Sequence, residues 1–542
     1  MAVQVPAATN AVAGDGPPAA LDRFDGCTLR DWIGEWAASK PASPAVLTAT
    51  ETLSFAELDQ RAKAFAGLLQ RLGLRHGDVI AAQLPNSVEF IVTYLAAGYL
   101  GAILQTVHMP YRAPEIEPLL AHSGARAIVC LAAVKDFATA EWLVSARPRL
   151  PRLGPIIAVA SATSGTLPAG ALPFADRGPE PDASALDPVR PTDRFVLLYT
   201  SGTTAAPKGV PVSYRHFLPN AALSARELAI DDHSVLLSAA PFTHLYGLFS
   251  LNLGFAAGAA TALLPAFSPA ALAEALDRFR PTGLFTAPAH MAACLNAGLL
   301  TRERLKSLRF AQISGSACPP ELARAVQDLM DDGEVQQLWG MSELQAGAFT
   351  RPGDDPQLRF SVAGRASPRT ELRVVQDSMP VPAGTEGELQ VRGPSLFPGY
   401  LDNPQAMAAA ISADGWFRTG DLACMDERGY IRITGRLKDV INRGGVKFNP
   451  ADIEALIERH AGVAACAIVP MPDPVLGERA CCFIVARPDA VAPQLEEICH
   501  WLAQHDIAKL KWPERLEAIE ALPLTPTRKV MKAELARRLI NT

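Results

Sequence analysis

The segment Thr200-Ser-Gly-Thr-Thr-Ala-Ala-Pro-Lys-Gly209 concentrates the groups that hold a polyphosphate. Thr200, Ser201, Thr203 and Thr204 supply hydroxyl donors, Gly202 and Gly209 let backbone come close, and Lys208 adds a positive charge. The phosphate cradle Gly-x-x-x-x-Gly-Lys-Ser/Thr does not fit, because Pro207 stands at its second glycine and Gly209 follows the lysine. A solvated Ser/Thr/Gly turn is the competing reading. The apolar run Phe195-Val-Leu-Leu-Tyr199 just ahead reads as a buried strand and favours the phosphate site.

Four further segments follow in order: Gln337-Leu-Trp-Gly-Met-Ser-Glu343, Gly415-Trp-Phe-Arg-Thr-Gly-Asp421, Gly435-Arg-Leu-Lys-Asp-Val-Ile441 and Pro523-Leu-Thr-Pro-Thr-Arg-Lys-Val-Met-Lys532. Each alone is unspecific. In this order, with the loop, the chain from about Leu29 to Arg538 resembles the adenylate-forming superfamily of acyl-CoA synthetases, peptide-synthetase adenylation domains and beetle luciferases. The loop resembles that family's Tyr-Thr-Ser-Gly-Thr-Thr-x-x-Pro-Lys-Gly, a mobile element guiding the pyrophosphate end of ATP.

The resemblance implies roles for the rest. Gln337, Trp339, Gly340 and Ser342 contact the nucleotide, with an indole able to stack on adenine and a hydroxyl able to reach the α-phosphate. Glu343 is the ligand of Mg²⁺, a hard cation suited to carboxylate and phosphate oxygens. Asp421 accepts from the ribose diol. Arg436 is a ribose or phosphate contact, and Lys438 is the pivot of a domain rotation. Lys529 is the adenylation lysine, which works by position and charge. Arg528 replaces the family's usual glycine, and arginine tolerates positive φ poorly, so the shape of that turn departs from the pattern.

In Pro241-Phe-Thr-His-Leu-Tyr-Gly247, His244 falls at the family's gate of the acyl site, and Leu245 where amino-acid-activating relatives carry aspartate and aryl-acid relatives asparagine. A leucine cannot pair with an ammonium ion, so the acid is expected to be neutral beyond its carboxylate: apolar aliphatic, alicyclic or aromatic. Candidate walls are His244, Tyr246, Gly247, Gly315, Gly340, Met341 and Ala346. Ser314-Gly-Ser-Ala317 resembles the segment that runs past adenine and the acyl group, which adds Gly315, Ser316 and Ala317 to the ATP contacts. Gly444 and Gly445 resemble the turn lining the pantetheine channel, where a thin thiol arm passes close to backbone.

These groups need a scaffold, and the pattern supplies one. Ser54 and Glu57 form a capping box, Leu58, Phe65, Leu68 and Leu69 share a face, and Gly73 ends that helix. A strand over 79–84 follows, then Pro85-Asn86 turns the chain into an apolar helix expected over 89–104. Residues 160–193, rich in Ala, Pro, Ser, Gly and Asp, read as a surface connection. The uncharged stretch 234–273 is broken by Pro241, His244, Asn252 and Pro265, so it suits a buried strand, a turn and a packed helix and not a transmembrane segment. After Gly435 a new unit begins. Asn449 caps a helix with Ile453, Leu456 and Ile457 on one face, and 464–469 reads as a strand.

At 542 residues the chain exceeds one ordinary core. The expected architecture is α/β: a tail over 1–20, a large layered N-terminal domain with a smaller β-rich subdomain over 21–435, and a small mobile α+β domain over 436–542. A net charge of −6 with both signs dispersed offers no surface for nucleic acid. Nine cysteines without a Cys-x-x-Cys pair, and an N-terminus without a signal-peptide pattern, point to the cytoplasm. The combined expectation is a ligase using ATP, Mg²⁺, a carboxylic acid and coenzyme A, forming an acyl-adenylate and then a thioester. An enzyme loading an acyl carrier protein is the alternative acceptor reading. A luciferase-like monooxygenase and a non-catalytic binding protein stand further off, the latter opposed by intact Lys208, Glu343, Asp421 and Lys529.

Overall fold

The computed structural model describes residues 26–160, 166–200, 207–444, 446–488, 490–525 and 529–540. Ser201, Gly202, Thr203, Thr204, Gly445 and Arg528 therefore lie outside the described residues.

Two large, mostly parallel sheets form the body, one of seven strands and one of nine. Strands such as Val79–Gln83 and Gly283–Thr286 are buried almost throughout, as runs covered on both faces must be. The helices Val88–Leu100, Tyr214–Glu227 and Leu245–Ala257 are buried on nearly every side. Val88–Leu100 and Leu245–Ala257 are apolar all round and belong inside, and together with Tyr214–Glu227 they share one cluster with Val46 of the larger sheet and Ile80, Leu104 and Val196 of the smaller. The helix Leu245–Ala257 answers the question raised by the long uncharged stretch. Among the described residues no helix is long and apolar enough to cross a membrane.

A third sheet, five antiparallel strands between Glu371 and Arg436, is the β-rich subdomain. A turn of 3-10 helix, Leu437–Asp439, then leads to a separate sheet that starts at Ile441–Arg443 and ends at Arg515–Ala518, with its own apolar clusters. In it the side-chain oxygen of Asn449 accepts from the N–H of Ala451 at 3.1 Å and starts the helix Ala451–Ile457.

The capping box at Ser54 and Glu57 is present, with Glu57 held below its usual range by the Ser54 backbone and hydroxyl. One expectation is corrected. The helix placed over 89–104 stops at Leu100, because Gly101 takes a left-handed φ of 66° and closes it, and Ile103–Thr106 becomes a strand parallel to Val79–Gln83. A run of apolar residues does not by period alone tell a buried helix from a buried strand.

Candidate active site

The loops at the carboxyl ends of the parallel strands converge, which is where open α/β sheets bind ligands. The strands Arg194–Thr200 and Lys208–Ser213 run antiparallel and pair Thr200 with Lys208, so residues 201–207 join them. At its base the N–H of Leu401 donates to the Gly209 carbonyl at 2.9 Å. A Cβ on Gly209 would stand 2.9 Å from the Leu401 Cβ, so the close approach requires glycine.

The Lys208 ammonium sits 4.8 Å from the centroid of the Tyr400 ring, and the Tyr400 hydroxyl donates to Glu343 Oε1 at 2.8 Å. Tyr400 thus joins the loop lysine to the candidate metal ligand. Burial pushes the Glu343 carboxyl up, against the downward pull of the Tyr400 hydroxyl, Lys208 and Arg436. A buried carboxylate with one oxygen so far bonded is a fitting ligand for a nucleotide-borne Mg²⁺. Among the described residues no cluster of three or more His, Cys, Asp or Glu forms a protein-only metal cage, so phosphate oxygens and water would complete the shell.

Glu343 follows the strand Glu334–Met341, in the hairpin that returns as Gln345–Phe349. The register slips after Trp339, where a Cβ on Gly347 would fall 2.3 Å from the indole, so the ring packs directly against a glycine. From there Trp339 Nε1 donates to Asp421 Oδ2 at 2.8 Å. Asp421 lies on the strand Phe417–Met425 directly opposite Arg436, whose Nε meets Asp421 Oδ1 at 3.0 Å. Two partners leave the carboxylate room to accept a diol. Earlier on the same strand, the Gln337 amide donates to the Arg359 carbonyl at 2.9 Å.

Lys529 comes from the small sheet's side. The N–H of Thr525 donates to the Lys529 carbonyl at 2.8 Å and the N–H of Lys529 to the Thr525 hydroxyl at 3.0 Å. The Lys529 ammonium is pulled below its ordinary value by burial and then by Arg436, with Asp421 and Glu343 opposing. Lys438 in the connecting turn is lowered by burial, then by Arg436. The charges of Arg436, Asp421 and Glu343 thus act on a lysine that comes from the far end of the sequence.

The same lysine reaches toward the acyl side. The His244 imidazole is held well below its usual range by burial, then by Lys529 and then by His108. His244 caps the helix Leu245–Ala257, its Nδ1 accepting from the Tyr246 N–H at 3.3 Å. The loop before it is clamped by Asn86, which donates to Ala240 O at 2.9 Å and accepts from the Phe242 N–H at 2.7 Å. The Tyr246 hydroxyl donates to the Gln312 carbonyl at 2.7 Å, and Ala346 packs in the same cluster as Tyr246. A Cβ on Gly247 would overlap the Pro241 carbonyl at 2.1 Å, so that glycine allows the turn to fold back. Gly315 has φ of 97° with open space at its Cβ position, while Ser316 and Ala317 are exposed beyond it. Gly340, Met341 and Ser342 are half-buried along the rim. Gly444, with φ of 60°, turns between two short strands of the small sheet.

Three side chains of this region carry no sequence signal: Tyr400, Asn86 and His108. Only the fold brings them to the site.

The model of the AMP-binding enzyme family matches residues 33–401, and that of the AMP-binding enzyme C-terminal domain matches 452–529. The chain is 31% identical over 524 residues to a medium-chain fatty-acid–CoA ligase of Escherichia coli, spanning 95% of this chain and 91% of that one. It is 34% identical over 495 residues to the salicyl-AMP ligase / salicyl-S-ArCP synthetase of Mycobacterium tuberculosis, spanning 90% and 85%. Among solved structures, ATP-bound MatB from Rhodopseudomonas palustris superposes with a TM-score of 0.83 at 26% identity, covering 94% of this chain and 99% of that one. The chain belongs to the AMP-binding family and is an adenylate-forming ligase.

Proposed function

We propose that this enzyme is a carboxylate–CoA ligase. The observation that supports the reading is the pair of anchored carboxylates, Glu343 held by Tyr400 beside Lys208 and Asp421 held by Trp339 and Arg436, with Lys529 subject to the charge of both and itself influencing His244. One ammonium thus serves the junction between nucleotide and acid. In the first step a carboxylate oxygen attacks the α-phosphorus of ATP, pyrophosphate leaves, and Lys529 offsets the charge that builds between the two groups. Mg²⁺, when held by Glu343 and the phosphates, neutralises part of the leaving charge. In the second step the CoA thiol gives up its proton and attacks the activated carbonyl, and AMP departs.

The domain assignment belongs to the same reading, with 21–435 as the ATP- and acyl-binding domain, 436–542 as the lid and Lys438 as the pivot. Rotation there would withdraw Lys529 and bring up the turn at Gly444 and Gly445 as the wall of a pantetheine channel. The cytoplasmic placement is part of it too, supported by nine cysteines that are all free thiols.

A carrier-protein acceptor is the second reading, favoured by the salicyl-S-ArCP synthetase relative. The test is mass-spectrometric detection of product from ATP with a panel of aliphatic, alicyclic and aromatic acids, offered CoA and a purified phosphopantetheinyl carrier in competition. Acyl-CoA as the main product supports the proposal. Exclusive acylation of the carrier overturns the acceptor while leaving adenylation intact.

A further inference from the structure

His108 follows the strand Ile103–Thr106 and stands beside the acyl gate. Its ring lies 6.1 Å from that of His244, tilted by 33°. Its place is tightly fixed. Buried Gln83 donates to the carbonyls of both His108 and Tyr111, at 3.0 and 3.1 Å, and the Tyr111 ring meets the imidazole edge-on at 5.2 Å. Such anchoring of a loop is what a recognition residue needs.

The hydrogen bonds assign its proton. His108 Nδ1 lies 3.1 Å from the hydroxyl of Thr243, a buried group whose other partners are none among the described residues. A buried hydroxyl must donate, and Nδ1 is the acceptor within reach, so the proton of the neutral ring sits on Nε2. His244 is assigned the same way, because its Nδ1 accepts from the Tyr246 N–H. Burial lowers His108 to about 4, so the ring is neutral at physiological pH. The acyl side therefore presents two neutral N–H donors. The two rings lie 6.1 Å apart, and His244 is the one on which Lys529 acts.

We propose that His108 is a specificity-determining residue of the acyl pocket, and that its Nε2–H donates to an uncharged oxygen substituent, hydroxyl, oxo or alkoxy, a few atoms from the carboxyl of the acid. This rests on the carboxylate-activating reading above and narrows its substrate class from an apolar acid to an oxygen-bearing one. A neutral donor suits an uncharged acceptor. A second carboxylate would call for a cation, and an all-carbon acid would leave the N–H desolvated without a partner.

The test is acid-dependent ATP–pyrophosphate exchange with benzoate and cyclohexanecarboxylate, each beside its ortho-, meta- and para-hydroxy forms. The wild-type enzyme is expected to favour one hydroxy form over its parent in kcat/KM by roughly 10-fold or more. His108→Phe keeps the ring volume without the donor and should collapse that ratio toward one. His108→Gln, which places an amide N–H near the Nε2 position, should recover part of it. Exchange in which parent acids are preferred throughout, or in which Phe lowers parent and hydroxy acids equally, overturns the role of His108 alone. Absence of exchange with every acid overturns the carboxylate-activating reading as well.

Discussion

At the nucleotide end of the site, charged side chains face one another: Asp421 with Arg436, Glu343 with Lys208 through Tyr400, and Lys529 among them. At the acyl end, a few residues away in the fold, the polar groups are neutral imidazoles and a phenol bonded to backbone. The contrast is chemical. On the proposed reading the first end handles phosphate charge that moves during the reaction, which calls for groups whose charge is fixed. The second, proposed to recognise the acid, has groups that burial keeps neutral, which leaves shape and single hydrogen bonds to discriminate. Lys529 acts on both.

Substitutions at the nucleotide end should cost rate with every acid, and that is the way to break the comparison. Lys529→Ala is expected to lower acid-dependent pyrophosphate exchange about 100- to 1,000-fold, measured under saturating ATP. Glu343→Gln keeps the shape but removes the anion. It should lower kcat/KM for MgATP roughly 10- to 100-fold and raise the Mg²⁺ concentration for half-maximal rate, read by metal titration.

Tyr400→Phe sharpens the picture. It removes a hydrogen bond that pulls the Glu343 carboxyl down, so the carboxyl, already raised by burial, should move further up. Because the ionised form binds the metal, the acid limb of the pH–rate profile should shift to higher pH, with a loss of about 3- to 10-fold at neutral pH. Gly347→Ala should have the smallest effect on activity. It pushes a methyl into the Trp339 indole and should cost about 1–3 kcal/mol of stability in denaturant unfolding, with a modest rise in KM for ATP.

The nucleotide end was largely legible before the fold was seen, because each of its groups sits in a short segment whose spacing is fixed locally. Lys208, Trp339, Glu343, Asp421, Arg436 and Lys529 come together as those segments imply. The Gln337 amide donates to the Arg359 carbonyl, a contact across 22 positions that its own segment does not encode. The acyl end was less legible. His108 lies in a loop without a distinctive pattern and reaches Thr243 across 135 positions of sequence, and Tyr400 reaches Glu343 across 57. Contacts of that range follow from sheet order, which no local spacing encodes. The misplaced helix end at Gly101 has the same origin: apolar residues continue past it, and only the left-handed glycine and the pairing with Val79–Gln83 separate helix from strand.

The most direct test of the account separates the two half-reactions in one variant. Lys529→Ala is supplied with preformed acyl-adenylate and CoA, and thioester formation is followed beside pyrophosphate exchange. A lysine that serves only the joining of acid and nucleotide predicts loss of exchange with thioester formation close to the wild-type rate. Equal loss of both would contradict it, because Lys529 would then be needed in each step and the exchange of one lysine for a glycine turn would not occur.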